Sequence, residues 1–231
     1  MTGKTKRTSE AIKTELVFIL DRSGSMAGLE SDTVGGYNSM MDKQREAGGE
    51  VIVTTVLFDD KYELLHDRIP IDELKPMTEN EYFVRGCTAL IDAIGRTVKK
   101  IEKAHAHTRE DHKPGKTIFV VTTDGLENAS KKYRAEDVKK MVESKIENDK
   151  WEFIFLGANI DAVETAVHYG FRESRAANYV ADNEGTEKNY FVVSAALEKV
   201  RCCAEVLPDD EMLDLLSPIE EDHKKRGGTK K

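Results

Sequence analysis

The sequence lacks the features of a disulfide-stabilised or membrane-spanning protein. It has three cysteines, Cys87 and the adjacent Cys202 and Cys203. An odd number of cysteines does not suit a disulfide framework and favours a reducing compartment. No apolar run approaches the roughly 20 residues that a membrane helix requires, and the basic N-terminus has no apolar segment typical of a secretory signal. We therefore expect a cytoplasmic protein that contacts no membrane.

An excess of positive charge is also missing. The formal net charge is −8, so we expect no general affinity for nucleic-acid phosphates. Basic residues do gather at both ends, where the pattern favours solvated tails. These residues are Lys4, Lys6, Arg7, Lys224, Lys225, Arg226, Lys230 and Lys231. Hydrophobic residues make up 39% of the chain, which is enough for the packed core of one large domain.

Short apolar runs alternate with segments of helical periodicity. The runs predict strands over residues 15–20, 51–58, 62–69, 117–122, 151–156 and 175–180. The periodic segments predict helices over residues 29–47, 88–104, 134–148, 160–169 and 188–206. Only residues 59–61 join the second and third strands, a length that allows antiparallel pairing but no parallel crossover. The pattern therefore predicts an α/β fold with a mostly parallel, Rossmann-like sheet of about six strands, one antiparallel edge strand and helices on both faces.

The same pattern predicts one domain with a tail at each end. We place the N-terminal tail at residues 1–13, the domain at 14–206 and a charged C-terminal tail at 207–231. The only apolar cluster in that last segment is Met212–Leu216, which makes docking onto the domain possible.

Two of the predicted buried strands end in a polar loop that contains an aspartate. Asp21 follows the first strand in the sequence Asp21-Arg-Ser-Gly-Ser25, and Asp124 follows the fourth. In open α/β sheets, ligands bind at the carboxyl ends of the strands. Asp21, Ser23 and Ser25 alternate, so one carboxylate and two hydroxyls can face a common point. Such hard oxygen donors suit Mg²⁺ or Mn²⁺, although the bare motif is also typical of an Asx-turn with a helix cap.

The motif Asp21-x-Ser23-x-Ser25 after an apolar strand resembles the metal-ion-dependent adhesion site of von Willebrand factor type A domains. That family includes integrins and many bacterial cytosolic proteins. Its members complete the site with a threonine on a second loop and an aspartate on a third. Thr88 and Asp124 occupy the matching positions here, and the resemblance covers roughly residues 14–203.

The resemblance implies a five-residue metal site that binds Mg²⁺, Mn²⁺ or Ca²⁺. It further implies a central parallel sheet and a non-enzymatic module, in which the metal accepts a Glu or Asp carboxylate from a partner protein. Bacterial cytosolic relatives often work beside ATPases or in metal-chelation assemblies, or are encoded in stress-associated gene clusters. Cys87 departs from the family pattern, because relatives often carry glycine before the threonine. We predict the partner-binding rim at Arg22, Met26, Tyr82, Arg85 and Glu127.

Two other functions compete with the binding module. A metal held by aspartates at strand ends also serves phosphoryl transfer or hydrolysis. Aspartate-nucleophile phosphatases, however, place a second aspartate two residues after the first, where this chain has Ser23. The chain contains neither a phosphate-binding loop nor a dinucleotide fingerprint, and His105-x-His107 lies in a charged segment better suited to solvent than to zinc. The third hypothesis is a structural subunit with a vestigial metal site, and the complete ligand set disfavours it.

Overall fold

The sheet is built around the most apolar segments of the chain. A computed structural model describes residues 12–227, so the predicted tail over residues 1–13 and the basic Lys230 and Lys231 lie almost wholly outside it. The described strands are β1 (Thr14–Asp21), β2 (Val51–Phe58), β3 (Tyr62–Pro70), β4 (Lys116–Thr123), β5 (Glu152–Gly157) and β6 (Ala176–Asn178). Their order across the sheet is β3-β2-β1-β4-β5-β6.

The strand pairing confirms the predicted fold class. β1, β2, β4, β5 and β6 run parallel, and β3 pairs antiparallel with β2 at the edge. All residues of β1, β2, β4 and β5 are buried, as expected for parallel strands covered on both faces. β3 is half exposed, because it is an edge strand.

Six α-helices in the described part of the chain cover the sheet in two layers. They are α1 (Glu30–Glu46), α2 (Leu90–Ala106), α3 (Ala135–Asn148), α4 (Ala162–His168), α5 (Asn183–Cys202) and α6 (Asp209–Asp222). Alternate β1 residues point into separate cores, since side chains alternate along a strand. Phe18 packs in the core with α1, α5 and α6, whereas Ile19 packs in the core with α2, α3 and α4. No helix within residues 12–227 is long and apolar enough to cross a membrane.

The C-terminal part of the chain differs most from its sequence-based description. α5 begins at Asn183 rather than at residue 188, because the Asp182 side chain caps it by accepting a hydrogen bond from Gly185 N at 2.8 Å. The segment after residue 207, described above as a charged tail, contains α6. Its buried face packs into the first core through Met212, Leu216 and Ile219. Beyond it, Arg226 forms ion pairs with Asp182 and Asp222 rather than extending into solvent.

The topology determines where a ligand site can form. From β1 the chain builds outward through β2 and β3, then returns to add β4 on the other side of β1. The strand order therefore reverses between β1 and β4, and loops on opposite sides of this point leave a crevice at the carboxyl edge. Asp21 ends β1 and Asp124 directly follows β4, so both lie at that crevice.

Candidate metal centre

Three loops meet at the carboxyl edge, and backbone hydrogen bonds join them. The first loop follows β1, the second precedes α2, and the third follows β4. The joining bonds run from Gly24 N to Gly86 O at 3.2 Å, from Arg85 N to Arg22 O at 2.9 Å, and from Asn128 N to Thr88 O at 3.0 Å. The second loop thus bridges the first and the third, which brings together residues distant in the sequence.

Four of the five candidate ligands form a continuous chain of polar contacts. One Asp21 oxygen accepts from Ser23 N at 2.7 Å, and the other accepts from Thr123 Oγ1 at 2.6 Å. Ser23 Oγ lies 3.1 Å from Ser25 Oγ. Ser25 Oγ in turn donates to Asp124 Oδ1 at 2.5 Å. The carboxylates of the first and third loops are therefore linked through the backbone N–H and hydroxyl of Ser23 and the hydroxyl of Ser25.

Thr88, the fifth candidate, borders the same space. A Cβ atom added to Gly125 would lie 3.1 Å from Ser25 Oγ and 3.3 Å from Thr88 Oγ1. The absence of a side chain at Gly125 therefore leaves a small gap that both hydroxyls flank. The Thr88 backbone is held by Asn128, whose side chain accepts from Thr88 N at 2.9 Å.

The donor set fits a divalent cation. Asp21 and Asp124 are 1% and 2% exposed, and no cationic side chain among residues 12–227 pairs with either of them. Asp124 Oδ2 is buried and has no hydrogen-bond partner within residues 12–227. Burial raises the pKa of the Asp21 carboxyl to about 6 and also raises the pKa of Asp124. Two desolvated carboxylates beside three hydroxyls are costly unless a positive charge joins them.

This chemistry differs from that of a zinc cluster. Within the described range, no group of three or more His, Cys, Asp and Glu side chains is placed to hold a metal. The candidate centre instead combines two carboxylates with neutral hydroxyls, a set that suits hard cations. His105 belongs to neither kind of site, because its Nε2 contacts buried Glu15 at 2.6 Å.

Solved structures with the same architecture belong to several kinds of protein. A von Willebrand factor type A structure from Catenulispora acidiphila has a TM-score of 0.52 and 12% identity over 80% of this chain and 42% of its own. The fold is that of a von Willebrand factor type A domain. The structure of the ArnB paralog VWA2 from Sulfolobus acidocaldarius has a TM-score of 0.52 and 13% identity over 80% of this chain and 46% of its own.

A third structure of the type A fold carries a metal. Proximal thread matrix protein 1 from the mussel byssus, with a zinc-occupied MIDAS motif, has a TM-score of 0.56 and 15% identity over 81% of this chain and 46% of its own. The chain therefore spans less than half of each of these three proteins, and identities this low show the fold alone. No family model and no curated sequence matches the chain.

Two arginines predicted for the partner-binding rim are engaged within the protein. Arg22 is fully buried and donates to Asp59 at 3.0 Å and to Glu63 at 2.6 Å. Arg85 is partly exposed and donates to the same Asp59 at 2.8 Å. The prediction of a free rim contact is wrong for Arg22, because its charge is used to hold the second loop and β3 against the first loop.

The other predicted rim residues also support the loops from within. Tyr82 is fully buried and donates its hydroxyl to the Asp21 carbonyl at 2.5 Å, and Met26 is buried too. Neither can contact a partner in this conformation. Glu127 is half exposed, but its carboxylate accepts from Ile91 N at 2.8 Å and therefore caps the start of α2.

The residues that do project from these loops are apolar. Phe83 is 42% exposed on the second loop, and Leu126 is 68% exposed on the third. Neither residue is among those predicted for the rim from the sequence. Both lie within a few residues of a candidate ligand, and an apolar residue in an otherwise polar loop is the signal that would have indicated them.

Proposed function

We propose that this protein is a divalent-metal-dependent protein–protein interaction module. In this proposal Asp21, Ser23, Ser25, Thr88 and Asp124 hold Mg²⁺, or Mn²⁺ or Ca²⁺ in its place. A partner protein contributes an Asp or Glu carboxylate. The zinc-occupied MIDAS motif of a structure with the same fold supports a metal at this position.

The proposal depends mainly on two buried carboxylates, those of Asp21 and Asp124, which form no ion pair with any described side chain. Asp21 accepts from the Thr123 hydroxyl, 102 residues away, and Asp124 accepts from the Ser25 hydroxyl, 99 residues away. Each carboxylate is thus bonded to the loop that carries the other. Hydrogen bonds from Ser23 N and Thr123 orient Asp21, and a buried oxygen of Asp124 remains unsatisfied. Native proteins rarely bury such a group without a partner, and a bound cation would satisfy it.

The protein residues set the charge of the site. Ser23, Ser25 and Thr88 add donor oxygens without negative charge, so only two carboxylates offset a cation. A bound divalent ion supplies an electrophilic position that an oxygen ligand from outside can complete.

We also propose that the site is not catalytic. Among the described residues, the hydrogen-bond partners of the five candidate ligands are hydroxyls, carboxylates, backbone groups and one asparagine amide. No imidazole or amine contacts them to transfer a proton. Assays with para-nitrophenyl phosphate and Mg²⁺ should show no turnover above that of Asp21→Asn protein. Turnover that this substitution abolishes would favour the phosphohydrolase alternative.

A thermal titration tests the metal site directly. Metal-free protein should melt at a higher temperature on addition of Mg²⁺ or Mn²⁺, because a ligand that binds only the native state stabilises it by about 2.7 kcal/mol at 100 times Kd. Asp21→Asn should abolish that rise. Asp72→Asn is the matched control, since Asp72 is exposed and lies outside the three loops.

The titration can also contradict the proposal. A melting temperature that does not respond to Mg²⁺, Mn²⁺ or Ca²⁺ would favour the vestigial site. An equal response from Asp21→Asn and the native protein would place the metal elsewhere. The association with an ATPase or a stress-response assembly, and the cytoplasmic location, stay predictions.

A further inference from the structure

The carboxyl edge presents two large apolar side chains beside the candidate metal centre. The structure has six large hydrophobic residues with substantial exposure among residues 12–227, and Phe83 and Leu126 are the two that lie on the site loops. Phe83 precedes Thr88 on the second loop, and Leu126 follows Asp124 on the third. Apolar groups exposed beside a polar centre are typical of an interaction surface.

Phe83 is held in its exposed position by charged groups. The guanidinium carbons of Arg22 and Arg85 lie 5.2 and 4.9 Å from its ring centroid. Both arginines are themselves held by Asp59. The ring therefore rests on a fixed cationic platform, and little side-chain freedom remains to be lost when a partner packs against it.

Leu126 is held by the backbone on either side of it. Before it, Gly125 lies at the position where an added Cβ atom would meet the hydroxyls of Ser25 and Thr88. After it, the Glu127 carboxylate accepts from the backbone N–H groups of Ala129 and Ser130 at 2.9 and 2.7 Å. The leucine thus projects from a well-bonded turn and does not fold back onto the domain.

We propose that the partner's acidic residue lies in an apolar segment, with large hydrophobic side chains flanking the carboxylate. This inference rests on the proposed function, because the metal centre receives the acid. Phe83 and Leu126 then contact the flanking residues. Arg85, which pairs with Asp59 and Glu63, supports the Phe83 ring from one side.

Alternative occupants fit this surface less well. A highly charged acidic tail would satisfy the metal centre but would leave both apolar side chains against polar groups. A purely apolar segment would leave the centre without its oxygen ligand. An acid between apolar residues satisfies both features, and its hydrophobic contacts add affinity in proportion to the apolar area removed from water.

Two synthetic peptides test the inference. Both are acetylated and amidated, so that one glutamate supplies the only carboxylate: in one peptide leucines flank it, and in the other serines do. Affinities are measured by calorimetry with Mn²⁺ and again with chelator. The native protein should bind the leucine-flanked peptide about tenfold or more tightly, and only with Mn²⁺. The Phe83→Ser/Leu126→Ser protein should show equal affinities for the two peptides.

The matched control is Phe191→Ser, which removes a 62% exposed aromatic ring from α5, outside the three loops. It should retain the full preference for the leucine-flanked peptide. If the double variant fails to fold, Leu126→Ser alone should reduce the preference, because so exposed a side chain contributes little to stability.

The possible failures are distinguishable. Equal affinities in the native protein, or a preference that survives in the double variant, would overturn the apolar-segment inference while leaving the metal-dependent module intact. Metal-induced stabilisation without binding of either peptide would overturn both the inference and the carboxylate-binding role. No metal-induced stabilisation at all would overturn the proposed function itself.

Discussion

The amino-terminal edge of the sheet buries Glu15 and Glu152, whereas the carboxyl-terminal edge buries Asp21, Asp59 and Asp124. Of these last three, only Asp59 pairs with a cationic side chain among the described residues. At the amino-terminal edge, buried Glu15 accepts from Arg68 at 2.8 Å and contacts His105. Buried Glu152 accepts from Arg175 Nε at 3.2 Å. At this edge, the protein itself supplies the compensating cations.

The carboxyl-terminal edge buries Asp21 and Asp124 among hydroxyls and backbone groups instead. No described cationic side chain pairs with either, although Arg22 lies directly after Asp21 and is itself buried. A cation is therefore present in the chain next to Asp21, but it pairs with Asp59 and Glu63 instead. The proposed metal site would account for this difference.

The largest effect should follow from removing a cation at the amino-terminal edge. Arg175→Met leaves Glu152 buried without its ion pair, and Arg175 also donates to the Leu207 carbonyl. Such a change costs about 3–5 kcal/mol of unfolding free energy, measurable by urea denaturation. Arg172→Met is the control, because the partly exposed Arg172 makes only a 3.7 Å pair with Asp209 and should cost less than about 1 kcal/mol. Equal losses would mean that the buried pair has no special role.

At the carboxyl-terminal edge of the metal-free protein, ionisation of a buried carboxylate should lower the free energy of unfolding, because no cation of the protein compensates its charge. Burial raises the pKa of Asp21 to about 6 from an ordinary value of 3.8, so the folded state binds this proton more tightly than the unfolded state. The associated stability is fully present below about pH 4 and is lost as the pH rises through 6. The expected loss is on the order of 2–3 kcal/mol.

To measure this effect, the free energy of unfolding is determined in chelator between pH 4 and pH 7 for the native and the Asp21→Asn protein, and the two pH dependences are compared. The variant should lose less stability than the native protein as the pH rises, since asparagine does not ionise. Parallel curves for the two proteins would show that Asp21 does not carry an energetic cost, and the contrast between the edges would weaken.

The smallest of these effects should follow from filling the gap at Gly125. Gly125→Ala places a methyl group 3.1 Å from Ser25 Oγ and 3.3 Å from Thr88 Oγ1, so one hydroxyl must move. We expect Mn²⁺ affinity to fall about 10- to 100-fold, the range found when groups that orient metal ligands are changed. Calorimetric titration measures it. Gly35→Ala on α1 is the control, because its added Cβ has no neighbour within 4 Å. An unchanged Mn²⁺ affinity in both variants would show that the gap at Gly125 is not part of the metal site.

The sequence predicted those features that depend on local pattern. Strands such as Val51–Phe58 were visible as apolar runs, and the short link before Tyr62 identified the antiparallel edge. The five candidate ligands were found because each stands at a strand or helix end, in a motif with a known order. α6 was recognisable in principle, since Met212, Leu216 and Ile219 follow helical spacing, but the surrounding charges obscured it.

The rim could not be predicted, because exposure in a loop depends on distant segments. Arg22 is buried by Asp59 and Glu63, which lie 37 and 41 residues away. Tyr82 is buried because its hydroxyl reaches the Asp21 carbonyl, 61 residues away. Nothing near either residue in the sequence shows these contacts. Conversely, the exposure of Leu126 follows from a turn geometry that the residue types alone do not reveal.

The long separation between the site loops has a consequence for folding. Ser25 and Asp124 are 99 residues apart, and they meet only when β4 pairs with β1. A nascent chain that ends before residue 116 therefore holds four of the candidate ligands but cannot form the centre. Closing a contact of such high sequence separation costs chain entropy, so we expect the centre to form late in folding. Metal should then slow unfolding more than it accelerates folding, and metal binding would require a completed sheet.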